Sequence, residues 1–194
     1  MAYDKDFIAG KLRRWETYLN QYSLPKWEDI PDFGLYMEQV LLILKEYLDY
    51  MPPELKDEPF ITAATINNYV RKKIMPEPVK KKYYRLHMAY LIMICSLKQS
   101  LSITTLKMLI PDNLSEAEFK AVYDSYVERH RLSTHYFVNQ VRMAAAGILD
   151  HEITGELATG ETCELIVSSA VISGFARLLA EKLLLLDDCK SEDE

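Results

Sequence analysis

Apolar residues recur at helical spacing through most of this chain, and prolines or glycines separate the segments in which they do so. The apolar stripes lie in residues 4–21, 35–50, 63–73, 85–98, 102–110, 115–127, 133–149 and 161–186. No run of four or more residues alternates between apolar and polar as a half-buried strand would. The pattern predicts an all-α fold of about seven helices, with at most a tiny hairpin near Lys80–Tyr83.

A break at Pro111 divides the chain into two parts. Beyond it, Ser115 and Glu118 form a capping box that starts the next helix. We therefore expect an N-terminal helical domain over residues 1–113 and a C-terminal helical bundle over residues 114–194. The chain is long enough for this arrangement and for a substantial core.

The charge of the chain is unevenly distributed. The net charge is −6, which alone argues against a nucleic-acid-binding protein. Residues 61–115 nevertheless carry nine basic and two acidic side chains, whereas residues 1–60 carry seven and twelve, and residues 116–194 carry seven and fifteen. A basic segment between two acidic ones concentrates attraction for an anionic partner on one surface.

The basic segment contains a helix whose outer face has an unusual composition. Thr62 is placed to cap this helix, and Ile66 and Tyr69 share its inner face. The outer face, where long charged side chains are usual, has a small residue, two amides and two cations: Ala64, Asn67, Asn68, Arg71 and Lys72. Because amide and guanidinium groups can bond base edges, this face is predicted to approach DNA closely.

A break rich in lysine follows this helix. Two prolines are expected to stop the helix, and Lys80, Lys81 and Lys82 come directly after them. Between Arg71 and Arg85, seven Lys or Arg residues stand against one acid. The lysines are predicted to contact phosphates, and the alternative interpretation is an ordinary solvated basic turn.

The order TINNYVRKKIMP, then KKY, then an apolar helix and LSITTLKMLI resembles the winged helix-turn-helix of MerR-type regulators. The resemblance implies that Thr65 and Tyr69 lie in the recognition helix, residues 82–83 in a wing and residues 35–50 in the support helix. The sequence departs from the family pattern in three ways. Asn67 stands where the family has arginine, the wing is short, and a ten-residue loop joins the two helices. The expected fold is a MerR-like helix-turn-helix with a short wing, followed by the C-terminal bundle.

A wider resemblance covers about residues 25–180. The chain is similar to an uncharacterised bacterial family, the domain of unknown function 1836, through a W…IP…LYM…Q opening and a T-x-x-x-INNYV segment. The residues that carry this similarity are Trp27, Ile30, Pro31, Leu35, Tyr36, Met37, Gln39, Thr62 and Ile66–Val70. The family implies a fold and no established activity.

Residues that commonly carry catalysis or bind metals are sparse and badly spaced. His130 and His135 are five residues apart, so they do not share a helix face, and no H-E-x-x-H accompanies them. The three cysteines include no C-x-x-C pair. With no phosphate-cradling glycine loop and no nucleophile motif, we expect no enzyme activity, no metal and no cofactor. His87, beside the lysines, is the one histidine expected to join the basic surface.

These observations predict a DNA-binding transcriptional regulator that binds double-stranded DNA through a recognition helix and a basic wing. The alternative is a helical protein-interaction module that does not bind DNA. The acids Asp4 and Asp6 at the N-terminus, and the lack of a long apolar run, predict a cytoplasmic protein without membrane contact. The residues expected to contact DNA are Ala64, Asn67, Asn68, Arg71, Lys72, Lys80, Lys81, Lys82 and Arg85.

The predicted last helix, at residues 161–186, is apolar around much of its circumference. Such a helix must be buried within the chain or shared with a second copy, and a symmetric regulator would pair two recognition helices on one DNA site. We therefore predict a homodimer assembled through the C-terminal bundle. Light scattering at micromolar concentration should give twice the chain mass, and a monomer would favour burial within one chain.

Overall fold

The computed structural model describes residues 5–49, 61–111 and 114–149, together with the single residues 159, 165, 172, 173, 176 and 177. Within these residues the chain forms seven α-helices and no β-strand, which confirms the predicted all-α class. The helices are α1 (Lys5–Gln21), α2 (Met37–Tyr47), α3 (Ala63–Arg71), α4 (Arg85–Leu97), α5 (Ile103–Leu109), α6 (Glu116–Ala144) and α7 (Ala146–Leu149). No helix among the described residues has the length and apolar character needed to cross a membrane. The loop at 51–60 and most of the predicted helix at 161–186 lie outside the described residues.

Side-chain caps fix the starts of two helices, as the sequence predicts. Thr62 Oγ1 accepts the backbone N–H of Thr65 at 3.2 Å and starts α3. At α6, Ser115 Oγ accepts the N–H of Glu118 at 3.3 Å, and Glu118 Oε2 accepts the N–H of Ser115 at 2.8 Å. Hydrogen bonds from Ser115 also lower the pKa of the Glu118 carboxyl. Both caps satisfy backbone donors that the first helical turn leaves unpaired.

Helix α6 is longer than the sequence analysis predicts. It continues without interruption from Glu116 to Ala144, so the separate helix expected from Ser133 is wrong. No proline or glycine lies within this span, and nothing there breaks the backbone hydrogen-bonding pattern. Thr134, which neighbours the expected start, instead donates its hydroxyl hydrogen to the carbonyl of His130, one turn earlier in the same helix, at 3.0 Å.

The chain divides into two compact units, of which the first comprises Met1–Ser23 and His130–Lys182. Its described core is formed by Ala9 of α1 and by the end of the α6–α7 region, with Ala145, Ile148 and Leu149 buried together. Arg13 Nη2 donates to the carbonyl of Leu149 at 3.0 Å and so ties α1 to α7. The predicted domain boundary after residue 113 stays a prediction.

The second unit comprises Leu24–Arg129 and Leu183–Glu194, and its described core is built around α4. Nine consecutive residues of this helix, His87–Cys95, are buried. Helix α2 packs against both α3 and α4. Because α4 is covered on every side, it needs no polar face, and burial raises the pKa of the Cys95 thiol to about 12.

Residues 24–36, which precede α2, form a structured connector that packs on this unit. The sequence predicts that Trp27 and Ile30 fold back onto the helices, and both side chains are buried. The Trp27 ring meets the Tyr123 ring edge-on at 5.9 Å, and the Tyr123 hydroxyl donates to the carbonyl of Pro25 at 2.9 Å. Lys120 of α6 lies 2.9 Å from the carboxylate of Glu28. The connector is therefore attached to α6 by apolar, hydrogen-bonded and ionic contacts.

The hydrogen bond between Tyr123 and Pro25 gives a test of this attachment. Tyr123→Phe keeps the ring but leaves the half-buried Pro25 carbonyl without its donor, which should cost about 0.5–1.5 kcal/mol. Urea denaturation should show a lower midpoint for this variant. Tyr136→Phe, at a position on the same helix that is 67% exposed, is the matched control and should leave the midpoint unchanged. Equal midpoints for both variants would contradict the anchoring role.

Candidate nucleic-acid interface

Helix α3 presents two faces of different chemistry. Ile66 and Tyr69 are buried against the core, and burial raises the pKa of the Tyr69 hydroxyl. The Nζ atom of Lys98 lies 5.6 Å from the centroid of the Tyr69 ring, which adds a cation–π contact from α4. The opposite face carries four of the predicted DNA-contact residues, and the fifth, Lys72, is the C-cap of the helix. Of these, Ala64, Asn67, Arg71 and Lys72 are exposed and Asn68 is half-buried.

Two of these outer residues are bonded to each other. Arg71 Nη2 donates to Asn68 Oδ1 at 2.8 Å, across one turn of the helix. The bond restricts the rotamers of two side chains that would otherwise move freely in solvent. It therefore orients the guanidinium along the outer face of α3, beside the exposed Asn67.

Helix α3 ends at Arg71, five residues before the proline that the sequence analysis expects to stop it. The terminating residue is Lys73, whose φ of 55° is left-handed. The Lys73 N–H donates to the carbonyl of Val70 at 2.9 Å, and the Ile74 N–H donates to the carbonyl of Tyr69 at 3.1 Å. This is the Schellman arrangement, in which glycine is the usual left-handed residue.

The three consecutive lysines sit in and beside a two-residue turn. Val79 and Lys82 exchange backbone hydrogen bonds of 3.0 and 2.9 Å, and Lys80 and Lys81 between them have φ of 49° and 65°. A turn with two left-handed residues normally uses asparagine and glycine. We call residues 79–82 the lysine turn. Among the described residues, the three non-glycine residues with positive φ are Lys73, Lys80 and Lys81.

Tyr83, which follows the lysine turn, pairs through its backbone with Leu35, a contact that was not predicted from the sequence. The N–H of Leu35 donates to the carbonyl of Tyr83, and the N–H of Tyr83 donates to the carbonyl of Leu35, both at 2.8 Å. The pairing is antiparallel and buries both side chains. Gly34 allows the close approach, since a Cβ atom there would lie 2.7 Å from Lys82 Cδ.

Two of the predicted DNA-contact residues are already engaged within the protein. Arg85 Nε donates to the carbonyl of Ile30 at 2.8 Å, and Arg85 Nη2 lies 3.7 Å from Asp32 Oδ2, so Arg85 holds the connector. Lys82 is half-buried, and its Nζ lies 5.3 Å from the centroid of the Tyr36 ring. Of the three turn lysines, Lys80 and Lys81 are exposed.

His87 caps the start of α4. The prediction from sequence that it joins the basic surface is therefore wrong. His87 is buried, its Nδ1 accepts the N–H of Tyr84 at 3.1 Å, and its Nε2 lies 2.9 Å from the carbonyl of Glu77. Both contacts are satisfied together only by the neutral ring with its proton on Nε2. Among the described residues, no group of three or more His, Cys, Asp or Glu side chains is placed to hold a metal ion.

The sequence model of a protein family described as Domain of unknown function (DUF1836) matches residues 25–126. The match covers more than half of the 194 residues, and the chain belongs to this family. Its limits nearly coincide with the compact stretch Leu24–Arg129, so it includes the connector, α3 and the lysine turn. The match ends at residue 126, whereas the resemblance to this family was predicted to extend to about residue 180. No curated protein and no solved structure matches the chain.

Gly34 provides a direct test of how the lysine turn is held. Gly34→Ala would force a methyl group against the stem of Lys82 and the ring of Tyr84, and overpacking of this kind costs about 1–3 kcal/mol. Gly10→Ala in α1 is the control, because nothing lies within 4 Å of its Cβ position. The control should gain about 0.5–1 kcal/mol from helix propensity. Chemical denaturation should therefore give shifts of opposite sign, and two stabilised variants would show that Lys82 and Tyr84 yield to the methyl group.

Proposed function

We propose that this protein is a DNA-binding transcriptional regulator in which α3 enters the major groove and the lysine turn serves as a short, MerR-like wing. The observation that carries the proposal is the backbone conformation of Lys73, Lys80 and Lys81. Each holds a left-handed φ, which costs a non-glycine residue about 1–2 kcal/mol. Glycine or asparagine at these three positions would relieve the strain without changing the fold.

The repeated choice of lysine supports a role for the charge itself. Strained backbone positions persist where the surrounding structure holds them in place and where function requires the residue. The three lysines lie in the segment that has nine basic and two acidic side chains, between segments that are net acidic. Neither a merely solvated helix end at Lys73 nor a merely solvated turn at Lys80 and Lys81 gains anything from a strained cation. In contrast, each lysine that neutralises a DNA phosphate releases a counterion, and this release favours binding.

The outer face of α3 fits the reading of base edges. The exposed amide of Asn67 can bond an adenine bidentately, and the guanidinium of Arg71 can do the same with a guanine. The bond between Arg71 and Asn68 reduces the entropy lost on binding. Ala64, exposed and small, leaves room for close approach. Lys72, Lys80 and Lys81 then supply contacts to phosphates, which fix register without reading sequence.

Two classes of variant should separate base contacts from phosphate contacts. The DNA is first selected by binding from a random pool and is then compared with a scrambled duplex. Asn67→Ala and Arg71→Ala should each lose about 1–3 kcal/mol on the selected sequence and little on the scrambled one. Lys81→Asn should weaken binding to both duplexes, lower the salt dependence by about one unit, and raise the free energy of unfolding.

Lys107→Asn on α5 is the matched control, since it removes an exposed positive charge that belongs neither to α3 nor to the lysine turn. It should leave DNA affinity unchanged at physiological salt. The proposal fails if the wild type binds neither duplex at low salt, or if Asn67→Ala and Lys81→Asn behave alike on both duplexes. A partner that binds with a shallow salt dependence would instead support the protein-interaction alternative.

A further inference from the structure

The paired segments around the lysine turn form a small sheet-like surface with two faces. Because Leu35 lies opposite Tyr83, antiparallel register places Gly34 opposite Tyr84 and Tyr36 opposite Lys82. Val79 lies opposite Lys82 in the second bridge. Leu35 and Tyr83 point into the core, so alternation turns their neighbours outward. We call the outward set the turn face; it consists of Gly34, Tyr36, Val79, Lys82 and Tyr84.

The turn face is aromatic and exposed. Tyr36 is 58% exposed, Val79 is 54% exposed, and Tyr84 retains 36% of its surface. A Cβ atom on Gly34 would lie 3.1 Å from Cζ of Tyr84, so the Tyr84 ring lies close against the glycine backbone. The ammonium group of Lys82 stands over the Tyr36 ring. Two rings and a cation are thus held in one surface by backbone pairing.

We propose that the turn face binds unpaired nucleotides of single-stranded DNA, with bases stacked on Tyr36 and Tyr84. The charges select the partner: Lys82 lies on this face, and Lys80 and Lys81 at its edge are exposed. An anionic chain with a planar apolar group at every unit matches this pattern of rings and cations. The base faces inside a duplex are already stacked and cannot reach tyrosine rings.

The choice of DNA follows from continuity with the surface assigned above to duplex DNA. Lys80 and Lys81, proposed above to contact phosphates, lie between Val79 and Lys82 of the turn face, so a strand bound at the turn face has a basic edge to follow. The inference shares these lysines with the proposed function, but its stacking residues differ from those of α3. The two assignments can therefore fail separately.

Each residue of the turn face has a defined part in this binding. The rings of Tyr36 and Tyr84 supply stacking surface, and Lys82 supplies positive charge beside a ring. Gly34 keeps the surface flat where Tyr84 lies against the backbone. The backbone N–H of Tyr36 donates to Gln39 Oε1 at 2.9 Å, and that of Tyr84 donates to His87 Nδ1. Because both caps use backbone atoms, substitution of either side chain leaves them in place.

The test is fluorescence anisotropy with a labelled oligothymidylate of about 15 nucleotides and with a duplex of equal length. The wild type should bind the single strand with an affinity that falls as salt rises. Tyr36→Ala and Tyr84→Ala should each weaken this binding roughly 5- to 150-fold and leave duplex affinity unchanged. Tyr36→Phe should retain it, because stacking needs the ring and not the hydroxyl. Tyr136→Ala, which removes a more exposed tyrosine from α6, should have no effect.

Several outcomes would overturn the inference. The first is a wild type that does not bind the single strand at low salt, and the second is Tyr36→Ala and Tyr84→Ala variants that bind it normally. A third is displacement of the oligonucleotide by an acidic peptide at equal charge concentration, which would point to a protein partner. Circular dichroism melts check that each variant is folded. If Tyr36→Ala loses single-strand binding and keeps duplex binding, the result supports the turn face as the single-strand site. If Asn67→Ala binds the single strand normally, the two surfaces act separately.

Discussion

The backbone pair between Leu35 and Tyr83 is the interaction on which the arrangement of the basic segment depends. Its two hydrogen bonds join the connector to Tyr83, the residue that follows the lysine turn. Within the turn itself, two further backbone hydrogen bonds join Val79 and Lys82. The pair of Leu35 with Tyr83 also buries one apolar and one aromatic side chain. Because the side chains of Leu35 and Tyr83 point inward, and side chains alternate along extended backbone, the neighbouring residues face solvent. The position of Lys82, the contact with Gly34 and the exposure of Tyr36 all follow from one register.

The neighbouring contacts act on the same segment from its other sides. Arg85 holds the connector by the carbonyl of Ile30, and His87 joins the start of α4 to the carbonyl of Glu77. Tyr69 packs α3 on the core that α4 dominates. The lysine turn is therefore surrounded by satisfied polar groups and buried rings. Such a setting can hold Lys80 and Lys81 in left-handed conformations that they would not adopt alone.

A structural feature could be predicted from the sequence when the interaction that determines it joins residues close together in the chain. The all-α class, the caps at Thr62 and Ser115 and the inner face of α3 rest on spacings of three or four residues, and they were predicted correctly. The division of α6 near Ser133 was wrong because the helix continues through this point, where the Thr134 hydroxyl bonds to the carbonyl of His130 one turn earlier. The pairing of Leu35 with Tyr83 and the bond from Arg85 to Ile30 join distant residues through backbone atoms. A hydrogen bond to a backbone carbonyl does not depend on the side chain of the accepting residue, so the sequence pattern does not reveal it. Arg85 was therefore predicted to be an exposed surface cation.

The distance along the chain between Leu35 and Tyr83 also sets an order of events during folding. Closing so long a loop is unfavourable until burial elsewhere compensates for the lost entropy. A turn with two left-handed lysines has no local preference to form early, unlike one built from asparagine and glycine. We therefore expect α2 and α3 to pack on α4 first and the lysine turn to be completed when the connector docks. A fragment beginning after the connector would keep its helices but lack the template that shapes residues 79–82, so the smallest autonomous piece of this protein starts well upstream of α2.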